Sequence, residues 1–138
     1  MTLQGLRFAH VAFRVRDIDE TIRWYRDVLG AQVVCHVEAV GPKPEYYYAE
    51  FVPGQMVEFF VNGRALPEPG PDAAGFAHLC LVVDDVQEAL AHMTSIGATI
   101  SRPYFEGRAG QRVFFVADPD GNQIEVMEIR PESPIYRG

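Results

Sequence analysis

The sequence predicts an α+β protein made of two tandem βαβββ modules. The first observation is an internal repeat, because an offset of 68 residues lays residues 76–78 on residues 8–10, and both segments read Phe-Ala-His. The second is that an offset of 67 residues lays Glu125 on Glu58. The third is that each copy contains one helical pattern followed by β-rich runs. A repeated supersecondary unit buries its apolar face against its partner, so two copies imply a pseudo-twofold arrangement.

Composition is that of an ordinary globular protein and excludes some partners. The 138 residues are 48% hydrophobic, with 12 Lys and Arg against 19 Asp and Glu, a formal net charge of −7. No basic stripe follows any predicted element, so no nucleic-acid partner is expected. The N-terminus lacks a secretory signal and no apolar run reaches membrane-spanning length, so we expect a cytoplasmic protein without a membrane partner. Cys35 and Cys80 lack a spaced motif and are predicted to be buried thiols.

The first strand is predicted over residues 6–15, which are rich in β-forming residue types. Successive side chains of a strand point to opposite faces, so His10, Ala12 and Arg14 share one face. We expect that face to line the functional site.

The first helix is predicted from about Ile18 to Leu29. Asp17 followed three residues later by Glu20 matches a capping box, and Gly30 suits the left-handed position at which many helices end. The same signals recur around a second apolar stripe of helical spacing: Asp85, Glu88 and Gly97.

Each helix is followed by three β-rich runs, which complete a βαβββ module. In module one these runs are residues 32–40, 46–52 and 55–61. In module two they are residues 99–102, 112–117 and 123–129. Within a single domain of residues 1–138, the predicted parts are module one (about 6–62), a proline-rich linker (about 63–75), module two (about 76–130) and a C-terminal tail (131–138).

The repeated His and Glu residues indicate a metal site. Glu58 lies in mid-strand between apolar neighbours, where a carboxylate is costly to desolvate unless a cation compensates it. Taken singly, each residue also suits an ordinary polar position, but the recurrence of both types in register favours the metal. If the copies converge on their common axis, four nitrogen and oxygen ligands result: His10, Glu58, His78 and Glu125.

Four segments carry a family resemblance: His10 at the first strand, Thr21 to Gly30 in the first helix, Gly75 to His78, and Asp118 to Glu125. Over about residues 6–130 the chain resembles the vicinal oxygen chelate superfamily of glyoxalases, bleomycin resistance proteins and extradiol dioxygenases. The resemblance implies a glyoxalase-like fold, in which βαβββ modules form curved sheets around a divalent metal. It also implies a homodimer, because modules of this family pair across chains.

The order His, Glu, His, Glu is most similar to short bacterial-type glyoxalase I, or lactoylglutathione lyase. This implies a metal-dependent lyase or isomerase that transfers a proton next to a metal-bound carbonyl through an enediolate. Glu125 is the expected general base and Glu58 its pseudo-symmetric catalytic partner. One divalent ion is expected per site: nickel, cobalt, zinc or manganese, with iron less favoured.

The substrate is expected to be a small anionic molecule, glutathione-linked or not. Arg14 and Asn62 match positions that hold the glutamyl end of glutathione in the resembled family. Arg108 lies in a glycine-bearing loop, residues 106–110, which suits a mobile lid and an ordinary hairpin about equally. A guanidinium there suits an anionic substrate group.

Three other functions of the same fold stay open. One is an epimerase of an acyl-CoA type substrate, although such enzymes usually have Gln where this chain has Glu58. The second is an extradiol-type dioxygenase, which uses two His and one Glu. The third is a non-catalytic ligand-binding or resistance protein, which would not need all four ligand residues.

Overall fold

The computed structural model describes residues 3–67 and 70–138, and the chain divides into two compact units, residues 1–67 and 68–138. The division falls inside the predicted linker, of which Glu68 and Pro69 lie outside the described residues. In the described part of the chain, no helix is long and apolar enough to cross a membrane.

The first unit is one βαβββ module with a four-stranded sheet. Its elements are β1 (His10–Arg14), α1 (Ile18–Leu29), β2 (Gln32–Val37), β3 (Tyr46–Val52) and β4 (Gln55–Phe60). The strand order is β1-β4-β3-β2, with β1 parallel to β4 and the other pairs antiparallel. The strand β4 is therefore central, flanked on both sides.

The second unit repeats this architecture. Its elements are β5 (Leu79–Val82), α2 (Val86–Ser95), β6 (Thr99–Glu106), β7 (Arg112–Ala117) and β8 (Gln123–Glu128). The order β5-β8-β7-β6 is the same, and again the first and last strands of the module run parallel. The predicted α+β fold with two βαβββ modules is confirmed.

The two helices begin where their caps predict. The side chain of Asp17 accepts a hydrogen bond from the backbone N–H of Glu20 at 3.1 Å, and Asp85 accepts one from Glu88 at 3.0 Å. Such bonds satisfy backbone donors that have no partner within the helix. The first helix ends at Gly30, whose φ of 74° is the left-handed conformation that glycine adopts without strain.

Three strand ends differ from the prediction by more than one residue, because the pairing partners decide where a strand begins and ends. The first strand begins at His10 rather than residue 6, since its neighbour β4 begins at Gln55 and pairs His10 with Met56. The strand β2 ends at Val37 rather than residue 40. The strand β6 continues to Glu106, well past the predicted end at residue 102.

Proline does not end β6 because β6 lies at the edge of its sheet. Pro103 falls between Arg102 and Phe105, where the pairing with β7 is irregular. An edge strand tolerates a residue that cannot donate a ladder hydrogen bond, especially at an irregularity.

In each unit the helix covers one face of the sheet with apolar side chains. In the first unit Tyr25 of α1 lies fully buried against Phe59, with ring centroids 4.8 Å apart, and Val57 is buried on the same face. In the second unit Val86 and Ile124 are fully buried, and α2 contacts β6, β7 and β8. Side chains alternate along a strand, so in each unit the repeated glutamate of the central strand points to the face of the sheet that the helix does not cover.

The prediction of a buried Cys35 is wrong. Cys35 is exposed, because β2 is an edge strand whose residues are nearly all exposed and whose pairing shifts between Val33 and Cys35. Cys80 is half-buried.

Candidate metal centre

Glu58 is buried at the middle of the first sheet. Glu58 lies on the central strand β4, between Ala12 on β1 and Tyr48 on β3. Only 7% of the residue is exposed. His10 begins β1 on the same face, and its Nε2 lies 3.9 Å from the Glu58 Oε1. Arg14, four residues after His10 on β1, lies on this face too.

Tyr48 completes the surroundings of Glu58. Its ring meets the His10 ring edge-on, with centroids 5.3 Å apart and an interplanar angle of 81°. The adjacent Glu58 carboxylate, together with burial, raises the pKa of Tyr48 to about 12. Tyr48 therefore keeps its proton at neutral pH.

The second sheet holds a matching pair with a shorter contact. Glu125 lies on the central strand β8, opposite Cys80 on β5 and Phe115 on β7. His78 immediately precedes β5, and its Nε2 lies 2.7 Å from the Glu125 Oε2. The His78 ring meets the Phe115 ring edge-on at 5.2 Å. Each unit thus brings together one imidazole, one carboxylate and one aromatic ring.

Cys80 is a neutral thiol beside this second pair. Burial, and then the charge of Glu125, raise the pKa of Cys80 to about 12. A thiol that stays protonated is neither a nucleophile nor a good metal ligand at neutral pH.

The predicted substrate-binding residues of the first unit lie at the end of the sheet. The guanidinium of Arg14 stands over the Phe60 ring at 5.2 Å from its centroid, and Nη1 donates to the Val61 carbonyl at 3.3 Å. No carboxylate pairs with Arg14 among the described residues. Asn62 is exposed, and its φ of 61° is left-handed, a conformation that asparagine tolerates better than most residues.

The loop that contains Arg108 is a hairpin connection held by two residues near the end of the chain. The N–H of Gly107 donates to the Gln111 carbonyl at 2.8 Å across the β6–β7 turn. Arg130 donates to the Gly110 carbonyl at 3.1 Å, and the Ser133 hydroxyl donates to the Ala109 carbonyl. Arg108 itself is exposed to solvent.

Sequence reasoning missed the aromatic residues that face the glutamates. Tyr48 and Phe115 are assigned only once the strand register is known, although runs of aromatic residues at 46–48 and 114–115 were visible. It also missed Arg102, whose guanidinium lies 3.6 Å from the Phe105 ring centroid.

The donor set suits a divalent metal, although each unit supplies only part of a ligand shell. Within either unit, no third His, Cys, Asp or Glu joins the pair among the residues that the structure describes. The side chains of Glu58 and Glu125 are only 10% and 12% exposed, and neither pairs with Lys or Arg in the described part of the chain. Shielded carboxylates beside imidazoles and without a Lys or Arg partner are typical of ligands that a cation compensates.

Known proteins resemble the chain over nearly its whole length. Its sequence matches the Glyoxalase family, described as the Glyoxalase/Bleomycin resistance protein/Dioxygenase superfamily, over residues 7–126. A probable chloroplastic lactoylglutathione lyase of Arabidopsis thaliana is 28% identical over 91% of the chain, which spans only 36% of that relative's length. A lactoylglutathione lyase of Haemophilus influenzae is 29% identical, with 89% of this chain and 93% of that protein covered.

Solved structures share the fold. The crystal structure of a glyoxalase family protein from Enterococcus faecalis superposes with a TM-score of 0.79 at 23% identity, covering 91% of this chain and all of that one. The family match spans most of the sequence, including His10, Glu58, His78 and Glu125. The chain therefore belongs to the glyoxalase/bleomycin resistance protein/dioxygenase superfamily.

Proposed function

We propose that the chain is a divalent-metal-dependent lyase or isomerase of the glyoxalase I type. The observation that carries this is the recurrence, in both units, of a shielded carboxylate beside an imidazole, with no Lys or Arg paired to it among the described residues. The relatives named lactoylglutathione lyase, 28% and 29% identical, support the same class of reaction.

The proposed ligands are the two imidazoles and the two carboxylates of His10, Glu58, His78 and Glu125. Mixed nitrogen and oxygen donors suit nickel, cobalt, zinc or manganese. When bound, such an ion would polarise a carbonyl oxygen and make the adjacent C–H bond more acidic.

Glu125 is the proposed general base. Its carboxylate is shielded from water and meets no Lys or Arg in the described part of the chain, so it is available to accept a proton. It would take the proton from the carbon next to the carbonyl and return it to the neighbouring carbon.

Arg14, Asn62 and Arg108 are the proposed contacts for an anionic substrate. The Arg14 guanidinium is oriented by Phe60 and the Val61 carbonyl, and no described carboxylate occupies it, although the chain has 19 acidic residues against 12 basic ones. A guanidinium pre-oriented in this way suits a substrate carboxylate. The relatives' name implies a glutathione-linked substrate, and we extend that to this chain, together with a cytoplasmic homodimer.

Metal analysis with a matched control tests the ligands. We expect His78→Ala to lower the metal content of the purified protein, while His92→Ala, which changes an exposed histidine of α2, retains it. The metal-loaded protein should convert the hemithioacetal of methylglyoxal and glutathione. Equal metal content in wild type and His78→Ala would refute the ligand assignment.

A further inference from the structure

We propose that Arg130 and Ser133 are positioning residues that hold the β6–β7 loop (residues 107–111) and keep Arg108 available to an anionic group of the substrate. The inference rests on the proposed function, in which Arg108 is a substrate contact. It assigns a role to a segment near the end of the chain, residues 130–133, that the proposed reaction does not otherwise use.

The segment near the chain end contacts the loop backbone at two consecutive carbonyl groups. The Ser133 hydroxyl donates a hydrogen bond to the Ala109 carbonyl, and the Arg130 Nε donates to the Gly110 carbonyl at 3.1 Å. Ser133 is only 6% exposed, so water competes little for its hydroxyl. The two carbonyls belong to the residues that directly follow Arg108, so these bonds fix the backbone just after it.

The loop backbone is also closed on the other side of Arg108. The N–H of Gly107 donates to the Gln111 carbonyl at 2.8 Å, and the N–H of Gly110 donates to the Gly107 carbonyl at 3.0 Å. A Cβ at Gly107 would overlap the side-chain amide of Gln111, so the chain packs tightly at this point. Arg108 is therefore an exposed side chain on a backbone that is held both before and after it.

Arg130 also pairs with two acidic side chains, one of which lies close to Arg108 in the chain. Its Nη2 is 3.0 Å from the Glu106 Oε1, and its Nε is 3.9 Å from the Glu132 Oε1. Glu106 stands only two residues before Arg108. No carboxylate pairs with Arg108 among the described residues. Because Arg130 occupies these carboxylates, the Arg108 guanidinium stays open to an anion from outside the protein.

The loop continues from aromatic side chains on the sheet face that carries Glu125. Phe105, the last residue but one of β6, stacks on Phe115 with ring centroids 6.2 Å apart and an interplanar angle of 3°. Phe115 in turn pairs with Glu125 across β7 and β8, and its ring meets the His78 ring edge-on at 5.2 Å. The loop therefore begins beside the second His–Glu pair, at the edge of the candidate site.

Holding the loop in this way favours substrate binding and leaves the chemical step unchanged. A backbone that is fixed before the substrate arrives removes an ordering cost from binding, and the pairing of Glu106 with Arg130 removes a competing anion. Loss of either effect weakens the contact between Arg108 and an anionic group. The proposed base lies on another strand and keeps its position, so we expect changes in KM rather than in kcat.

Limited proteolysis without substrate measures how firmly the loop is held. Trypsin cleaves after arginine only where the backbone opens, so the rate of cleavage between Arg108 and Ala109 reports the population of the open loop. Mass spectrometry identifies the fragment that begins at Ala109. This measurement needs no activity, and it is paired with steady-state kinetics on the hemithioacetal of methylglyoxal and glutathione.

The test variants are Ser133→Ala and Arg130→Ala, each with a matched control. Ser95→Ala removes a serine that donates to a carbonyl of its own helix α2, and Arg137→Ala removes an arginine that donates to two carbonyls just before it in the chain. Arg108→Ala is the kinetic reference, because it removes the guanidinium itself. Thermal melts check that each variant is folded.

We expect cleavage after Arg108 to be about twofold to tenfold faster in Ser133→Ala and about tenfold to a hundredfold faster in Arg130→Ala, because the second change removes bonds to a charged group. Both controls should be cleaved at the wild-type rate. Both test variants should raise KM by about twofold to tenfold with little change in kcat, in the same direction as Arg108→Ala.

A wild-type cleavage rate in either test variant would overturn the inference while the proposed function stands. Faster cleavage with an unchanged KM, or an unchanged KM in Arg108→Ala, would do the same. A wild-type protein that does not convert the hemithioacetal would overturn the proposed function and, with it, the substrate role of Arg108. The cleavage rates, measured without substrate, distinguish these two failures.

Discussion

The carboxylate of Asp118 organises the turn between β7 and β8, and its replacement by alanine tests how that turn supports the second sheet. Asp118 is only 6% exposed. Its Oδ1 accepts the backbone N–H groups of Asp120 at 2.9 Å and Asn122 at 2.8 Å, and its Oδ2 accepts the Asn122 side-chain amide at 2.9 Å. These bonds set the path of the chain into β8, the strand that carries Glu125.

The expected loss follows from these three contacts. Hydrogen bonds to a charged group contribute about 1.5–3 kcal/mol each when removed singly, so their plain sum would be roughly 4.5–9 kcal/mol. The three share one carboxylate and are not additive, and the half-buried turn lets water reach the freed donors. We therefore expect Asp118→Ala to lower the free energy of unfolding by about 3 kcal/mol. Asp118→Asn keeps an acceptor for the backbone groups and should lose about half as much.

Urea denaturation of the purified variants measures these differences. Asp84→Ala is the matched control, because Asp84 is an exposed aspartate, and we expect a change within about 0.5 kcal/mol. A free energy of unfolding for Asp118→Ala within that same margin of wild type would refute the role of the carboxylate in the turn.

Three further predictions concern the site. Glu125→Gln should lower kcat by roughly 10²–10⁴-fold, because an amide cannot accept the proton, and solvent deuterium exchange into the substrate should disappear with it; retained exchange would contradict the assignment. Arg14→Ala should raise KM for an anionic substrate by about tenfold to a hundredfold with a smaller effect on kcat, whereas a neutral analogue should respond little. An aromatic disulfide reagent should label exposed Cys35 rapidly and Cys80 only on unfolding, because burial and Glu125 raise the pKa of Cys80 to about 12. Equal labelling rates in the two single-cysteine variants would contradict this.

Local sequence signals determined the helices and the faces of the strands. Local hydrogen bonds fix where the helices begin, at the caps Asp17 and Asp85, and where the first helix ends, at Gly30. These bonds form within a few residues of the chain, so they need no tertiary context. Alternation likewise placed His10 and Arg14 on one face, because the direction of a strand side chain depends only on its position along the strand.

The internal repeat determined the architecture. A sequence segment that is repeated forms the same supersecondary unit in each copy. The offset that superposes Glu125 on Glu58 was therefore enough to predict two βαβββ modules with one His–Glu pair each. The recurrence of these residue types also identified the candidate ligands before any distance between them was known.

Strand ends and cross-strand neighbours were decided only by the tertiary structure. A strand extends as far as its partner does, so β1 begins at His10 and β6 passes through Pro103 at a sheet edge. Tyr48 faces Glu58 and Phe115 faces Glu125 through pairing between chain segments ten residues apart. Register depends on the sheet as a whole and a shift of one residue would reverse every face, which is why the aromatic partners of the two carboxylates could not be identified from the sequence.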